Sequence, residues 1–163
     1  MPRNRSATIV HEGGNRFVAT TGTNRTIVFG DDAAGNELSP VETLAAAIAA
    51  CSAMDVVSIA LKKRQDFDRY VVRSEAIQRD EYPQVLTRID ITHEVEGPGV
   101  DEAAIRRCVE LSALKYCPVS AMLSAGETEV HHRYVVRNTG ERPFVAEGEV
   151  VVTGPYRRPD VVA

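Results

Sequence analysis

No uninterrupted apolar run in this 163-residue sequence approaches the roughly 20 residues of a membrane span, so no spanning helix is predicted. The opening stretch MPRNRSATIVHEGGNR is basic but lacks an apolar core, which argues against a secretory leader. The expected setting is the cytoplasm. Cysteine is scarce: Cys51, Cys108 and Cys117 form an odd, sparse set with no CxxC pair. Neither a disulfide framework nor a zinc-finger type of site fits that usage, and the three are expected to rest as thiols. An excess of positive charge is missing as well. The net charge of -4 argues against a dedicated nucleic-acid binder. There is no internal repeat and no low-complexity tract. What remains, 44% hydrophobic and 26% charged residues, is the profile of a soluble globular protein. A chain of this length can bury an adequate core without a covalent staple.

Three short strands are expected first, at Ala7 to His11, Arg16 to Thr21 and Arg25 to Phe29, separated by Gly13-Gly14 and Gly22. Asp31 to Leu38 reads as a polar loop. A long helix then starts at a well-marked point: Ser39 as N-cap, Pro40 at the first helical position and Glu42 at the third, a capping-box pattern. Between Leu44 and Leu61 only Ser52, Asp55 and Ser58 are polar, so the helix is apolar on most of its circumference and is expected to be buried. Lys62-Lys63-Arg64 suits its C-terminus.

Strands at about Tyr70 to Arg79 and Leu86 to Glu96 follow, the second with clear two-residue alternation. Gly97-Pro98-Gly99 stops it. Asp101 caps a second helix carrying Ile105, Cys108, Val109, Leu111 and Leu114 at helical spacing. Pro118 interrupts that helix just after Cys117, a short helical turn runs from Val119 to Ser124, and Glu129 to Val136 reads as a strand. Residues 1–136 are expected to form the domain. Residues 137–163, rich in Gly and Pro, read as a C-terminal extension in which Phe144 to Thr153 can add an edge strand. The fold class is α+β.

Two segments carry chemistry: SPVETLAAAIAACSAMDVVSIALKKR around Cys51 and CVELSALKYCPVSAMLSAG around Cys117. Together they resemble the OsmC/Ohr family of thiol peroxidases, nearest its YhfA-like branch, in which Asp-Val-Val and a basic helix end follow the first cysteine. The resemblance covers roughly residues 7 to 136. It implies antiparallel sheets around a buried central helix, in an intertwined homodimer with sites at the subunit interface. It implies reduction of organic hydroperoxides, with Cys51 peroxidatic and Cys117 resolving, an external dithiol reductant, and no resident cofactor or metal. It further implies an arginine from an N-terminal strand beside the thiolate, for which Arg16 is nearest.

The residues themselves set two readings against each other. Asp55 lies one helical turn from Cys51; an ionised carboxylate about 6 Å away, at an effective dielectric of about 20, opposes the Cys51 thiolate by roughly 3 kcal/mol. The family's catalytic glutamate falls at Val41, and neighbouring Glu42 is better read as the capping-box residue, about 180° around the helix from Cys51. By local chemistry Cys117 is the more obvious thiolate, because Pro118 makes it the N-cap of the next helical turn. Cys108 is expected to pack as a small core residue. His131 and His132 are adjacent on a strand and point to opposite faces, which argues against a shared ion, and His11 and His93 read as ordinary strand residues. A cysteine-based hydroperoxide reductase is therefore the leading expectation. The rival is a non-enzymatic member of the same fold, a redox sensor or a dimer binding a small apolar ligand.

Overall fold

A computed structural model describes residues 5–30 and 37–154. The chain divides into two compact units, Met1–Leu44 and Ala45–Ala163. In the first unit, β1 (Ala7–Gly13), β2 (Arg16–Thr21) and β3 (Thr26–Phe29) form an antiparallel meander in that order. Gly13 and Gly14 take φ of +108° and +56° in the first hairpin, a backbone that glycine adopts without strain. The loop expected at Asp31 to Leu38 falls mostly outside the described residues.

Helix α1 (Pro40–Lys62) begins at the capping box read from the sequence. The Val41 amide donates to Ser39 Oγ at 3.2 Å, and the Glu42 carboxylate accepts from the Ser39 amide at 3.1 Å. At its other end Arg64 turns into the left-handed region (φ 57°), and the amides of Lys63 and Gln65 donate back to the carbonyls of Ile59 and Ala60.

The second unit is built on one four-stranded sheet, β4 (Arg69–Gln78), β5 (Leu86–Gly97), β6 (Glu129–Asn138) and β7 (Phe144–Thr153), ordered β4-β5-β6-β7. Strand β7 is the edge strand expected in the C-terminal extension, and it pairs antiparallel with β6. The tail 155–163 lies outside the described residues. One expectation is corrected: β5 and β6 run parallel, so this sheet is mixed rather than antiparallel. A parallel neighbour needs a crossover connection. Here it holds α2 (Glu102–Leu111), a π-helical turn at Ser112–Tyr116, and α3 (Pro118–Leu123). Asp101 caps α2 through its carboxylate, which accepts from the Ala104 amide at 2.8 Å.

Val56 and Ala60 of α1 share one core with Val95, Val100, Ile105, Cys108, Val109, Tyr134 and Val136. A second expectation needs correction at this helix. Only the stripe Ile48, Ala49, Ser52, Val56 and Ala60 is buried, while Met54 and Leu61 stay 74% and 61% exposed. By length and composition α1 is also apolar enough for a membrane span, although no unbroken apolar run in it is that long. The alanines and the three polar residues disguise it. The buried stripe and the hydrogen bonds of Ser52 mark it as a core helix with one apolar side uncovered in the single chain.

Candidate functional site

Cys51 and Asp55 stand four residues apart on α1, so their side chains share a helix face. The crossover brings Cys117 to the same place. A residue before proline is pushed out of helical geometry, and Cys117 takes φ -74°, ψ 103° between the π-helical turn and α3. Its Sγ accepts the Ser120 amide hydrogen at 3.3 Å, so Cys117 is the N-cap of α3, as the Cys-Pro step predicts. The Sγ atoms of Cys51 and Cys117 and a carboxylate oxygen of Asp55 all lie within 4.8 Å of one another. Cys51 and Asp55 are half-buried and Cys117 is buried. All three cysteines are free thiols.

The cap does not make Cys117 a thiolate. Burial first, and then its hydrogen bond with Cys51, push the Cys117 thiol up to about 12, against a smaller downward pull from the Ser120 amide. Helix α3 has only six residues, too little dipole to outweigh the loss of water. Cys108 is the core residue expected of it, fully buried, its thiol raised by burial to about 11.

Asp55 opens a chain of side-chain hydrogen bonds into the interior. Ser112 Oγ lies 3.1 Å from Asp55 Oδ2 and 3.1 Å from Ser52 Oγ. Ser52 Oγ lies 3.1 Å from His93 Nε2, and His93 Nδ1 meets the Tyr70 hydroxyl. A carboxylate can only accept, so Ser112 donates to Asp55 and must accept from Ser52. Ser52 in turn accepts from His93 Nε2–H, which leaves Nδ1 to receive the Tyr70 proton. One tautomer of His93 satisfies every link. Burial holds His93 neutral, with its pKa lowered to about 3, and raises that of Tyr70.

Sequence reading missed this chain. His93 reads as an ordinary strand residue, yet it occupies an inward position of β5 among Ile89, Ile91 and Val95. A histidine at that place in an alternating strand was the available signal. Ser52 and Ser112 gave none, because the π-helical turn that swings Ser112 toward α1 has no clear sequence signature.

The other histidines behave as the alternation predicts. His132 points inward to Ser120 Oγ (3.2 Å), while His131 lies between Glu149 (2.9 Å) and Glu129 (3.2 Å) on the opposite face of β6. Arg16 belongs to the first unit, where the carboxylates of Glu12 and Glu37 engage its guanidinium. Beside the thiol cluster, a cleft of about 300 Å³ is lined by Asp55, Ser58, Ile59, Lys62, Leu111 and Tyr116.

Residues 31–133 match the family of OsmC-like proteins. The chain is 35% identical over 123 residues to Protein YhfA of Escherichia coli K12, covering 76% of this chain and 92% of that one. A hypothetical protein from Aquifex aeolicus VF5 superposes with a TM-score of 0.72 at 25% identity, over 86% of this chain and 100% of its own. An organic hydroperoxide resistance protein from Elizabethkingia anophelis shares the fold, with a TM-score of 0.63 at 16% identity over 85% of this chain and 99% of that one.

Proposed function

Since the chain belongs to the OsmC-like family, we propose that it is a cytoplasmic thiol peroxidase reducing organic hydroperoxides through Cys51 and Cys117. The observation that carries this reading is the meeting of the two sulfurs and the Asp55 carboxylate within 4.8 Å. Cys51 is half-buried where Cys117 is buried, which makes it the more accessible of the two thiols. Asp55 takes its proton, and the carboxylate that opposes a resting thiolate then serves as the base that creates one at the moment of attack. The sulfur attacks one peroxide oxygen, the O–O bond breaks, and the departing alkoxide takes from Asp55 the proton it received and leaves as the alcohol. Cys51 is left as a sulfenic acid. The Cys117 thiol then attacks that sulfur, the S–O bond breaks and water leaves with the Cys117 proton, giving a disulfide. An external dithiol reduces it by two exchanges. The uncovered apolar side of α1, with Met54 and Leu61 exposed, supports a homodimer in which a second copy shields the site.

A second reading has its own support. Burial pushes the Cys117 thiol up, which opposes its ionisation for the resolving attack and favours a redox sensor whose Cys51 sulfenic acid persists. One experiment separates the two. Reduced protein is mixed with cumene hydroperoxide under anaerobic conditions in the presence of a metal chelator, and thiols are titrated against time. Rapid loss of two thiols per chain, abolished in Cys51→Ser, supports the peroxidase. Loss of one thiol with a lasting sulfenic acid supports the sensor, and a rate no faster than free cysteine overturns both.

A further inference from the structure

The cluster of Cys51, Asp55 and Cys117 has the makings of a second kind of site. We propose that the reduced protein binds a thiophilic divalent cation of the zinc class through Cys51 Sγ, Asp55 carboxylate and Cys117 Sγ, with water in the fourth position. This inference rests on the donor geometry alone and does not depend on hydroperoxide chemistry.

Around a tetrahedral zinc-like ion, with metal–sulfur bonds of about 2.3 Å and metal–oxygen bonds of about 2.0 Å, neighbouring donors stand roughly 3.5–3.8 Å apart. The three donor atoms here already fall within 4.8 Å of one another, so small rotations about side-chain bonds close the set. Two donors come from one helical face at i and i+4, and the third from a fixed helix cap. Two thiolates and a carboxylate form a soft, anionic donor set that selects zinc-class ions over magnesium or calcium.

The surroundings hold the donors as a metal site requires. A metal-binding carboxylate is oriented by an outer hydrogen bond, and Asp55 Oδ2 accepts one from Ser112, itself fixed through Ser52 to His93. The Cys117 sulfur accepts the Ser120 amide, a bond that suits a thiolate. Among the described residues, no lysine, arginine or histidine forms an ion pair with Asp55, whose one hydrogen-bond donor there is Ser112. The cleft that Asp55 lines gives the ion a route in. Binding releases two thiol protons. A Cys51–Cys117 disulfide would consume both sulfur donors, so cation binding belongs to the dithiol form alone.

The test uses chelator-stripped, fully reduced protein under anaerobic conditions, titrated with Co2+ and then displaced with Zn2+. Expected is one Co2+ per chain, a thiolate-to-cobalt charge-transfer band and the strong visible absorption of four-coordinate cobalt, bleached by Zn2+. Cys108→Ser should leave that spectrum intact. Cys117→Ser, which keeps a good N-cap, and Cys51→Ser should each remove most of the charge-transfer band. Ser112→Ala should weaken binding about 10–100-fold, Asp55→Asn, which loses a ligand, by more, and the oxidised protein should bind none. Cobalt absorption that survives in Cys117→Ser, or that vanishes in Cys108→Ser, overturns the proposal, as does the lack of any thiolate band. The hydroperoxide assay above runs with chelator, so either reading can fail while the other stands.

Discussion

Ser112 donates its hydroxyl proton to the Asp55 carboxylate across 3.1 Å, and that bond ties the thiol cluster on α1 to the crossover behind it. Replacing Ser112 by alanine strips Asp55 of this donor and leaves the buried Ser52 hydroxyl without its acceptor. The expected loss is about 1–3 kcal/mol of unfolding free energy, the usual cost of stranding buried polar groups. Urea denaturation at pH 7 measures it. A change below about 0.5 kcal/mol would show that the chain of hydroxyls is not coupled.

Stability should fall on mild acidification because His93 and His132 are held neutral by burial, with pKa values lowered to about 3 and about 4. Above pH 7 neither folded nor unfolded imidazole is charged, and no penalty exists. As pH drops through about 6.5, only the unfolded imidazoles take up protons. Each histidine then costs up to about 1.4 kcal/mol per pH unit, until its folded form titrates. Urea midpoints of wild type, His93→Gln and His132→Gln between pH 7 and pH 5 give the comparison. Each variant should show a shallower pH slope, and slopes equal to wild type would exclude the assignment.

Thiol reactivity should be unequal. Burial raises Cys117 to about 12 and Cys108 to about 11, so both are protonated and slow at pH 8. Iodoacetamide followed by peptide mass spectrometry should find Cys51 modified well before the others. Equal labelling of Cys117 and Cys51 would contradict this order.

Gly97 ends β5 where a side chain has no room. A Cβ there would fall 2.3 Å from Phe67 Cα and 2.6 Å from the Asp66 carbonyl oxygen, both backbone atoms that cannot swing aside. Gly97→Ala should destabilise by about 1–3 kcal/mol through overpacking. Gly126→Ala, whose Cβ meets only the Leu123 carbonyl oxygen at 3.9 Å, should be close to neutral. Thermal melts of the two variants decide the matter.

The exposed apolar side of α1 makes the dimer testable. Met54→Glu and Leu61→Glu place charge on that face without touching the buried stripe. Sedimentation velocity should show a dimer for wild type and a shift toward monomer for both variants. An unchanged dimer would assign the interface elsewhere.

Local signals carried much of this fold. The capping box at Ser39 and Glu42, the cap at Asp101 and the Cys-Pro step each stand where residue chemistry places them, because each depends on neighbours within one turn. Pairing of distant strands has no such local mark. The parallel β5–β6 ladder follows from a crossover whose path is set by packing, and strand patterns read alike in either direction. The site divides in the same way. Cys51 and Asp55 were legible as helix neighbours, but the meeting of Ser52, Ser112 and His93 spans three elements far apart in the chain. Cys117 caps α3 as the Cys-Pro step implies, but the burial that raises its thiol is a property of the whole fold.

The parallel pairing of β5 with β6 also sets an order of events during synthesis. Cys51 leaves the ribosome early on α1, whereas Cys117 rides in the crossover, and the sheet that anchors this crossover cannot close until β6 has emerged. Non-local pairings of this kind form late in folding. A growing chain therefore carries its first thiol for a time with no partner and no finished pocket, open to oxidation past the sulfenic stage. Ribosome-bound chains truncated before β6 should accumulate sulfinic acid at Cys51 under peroxide, where the completed protein does not.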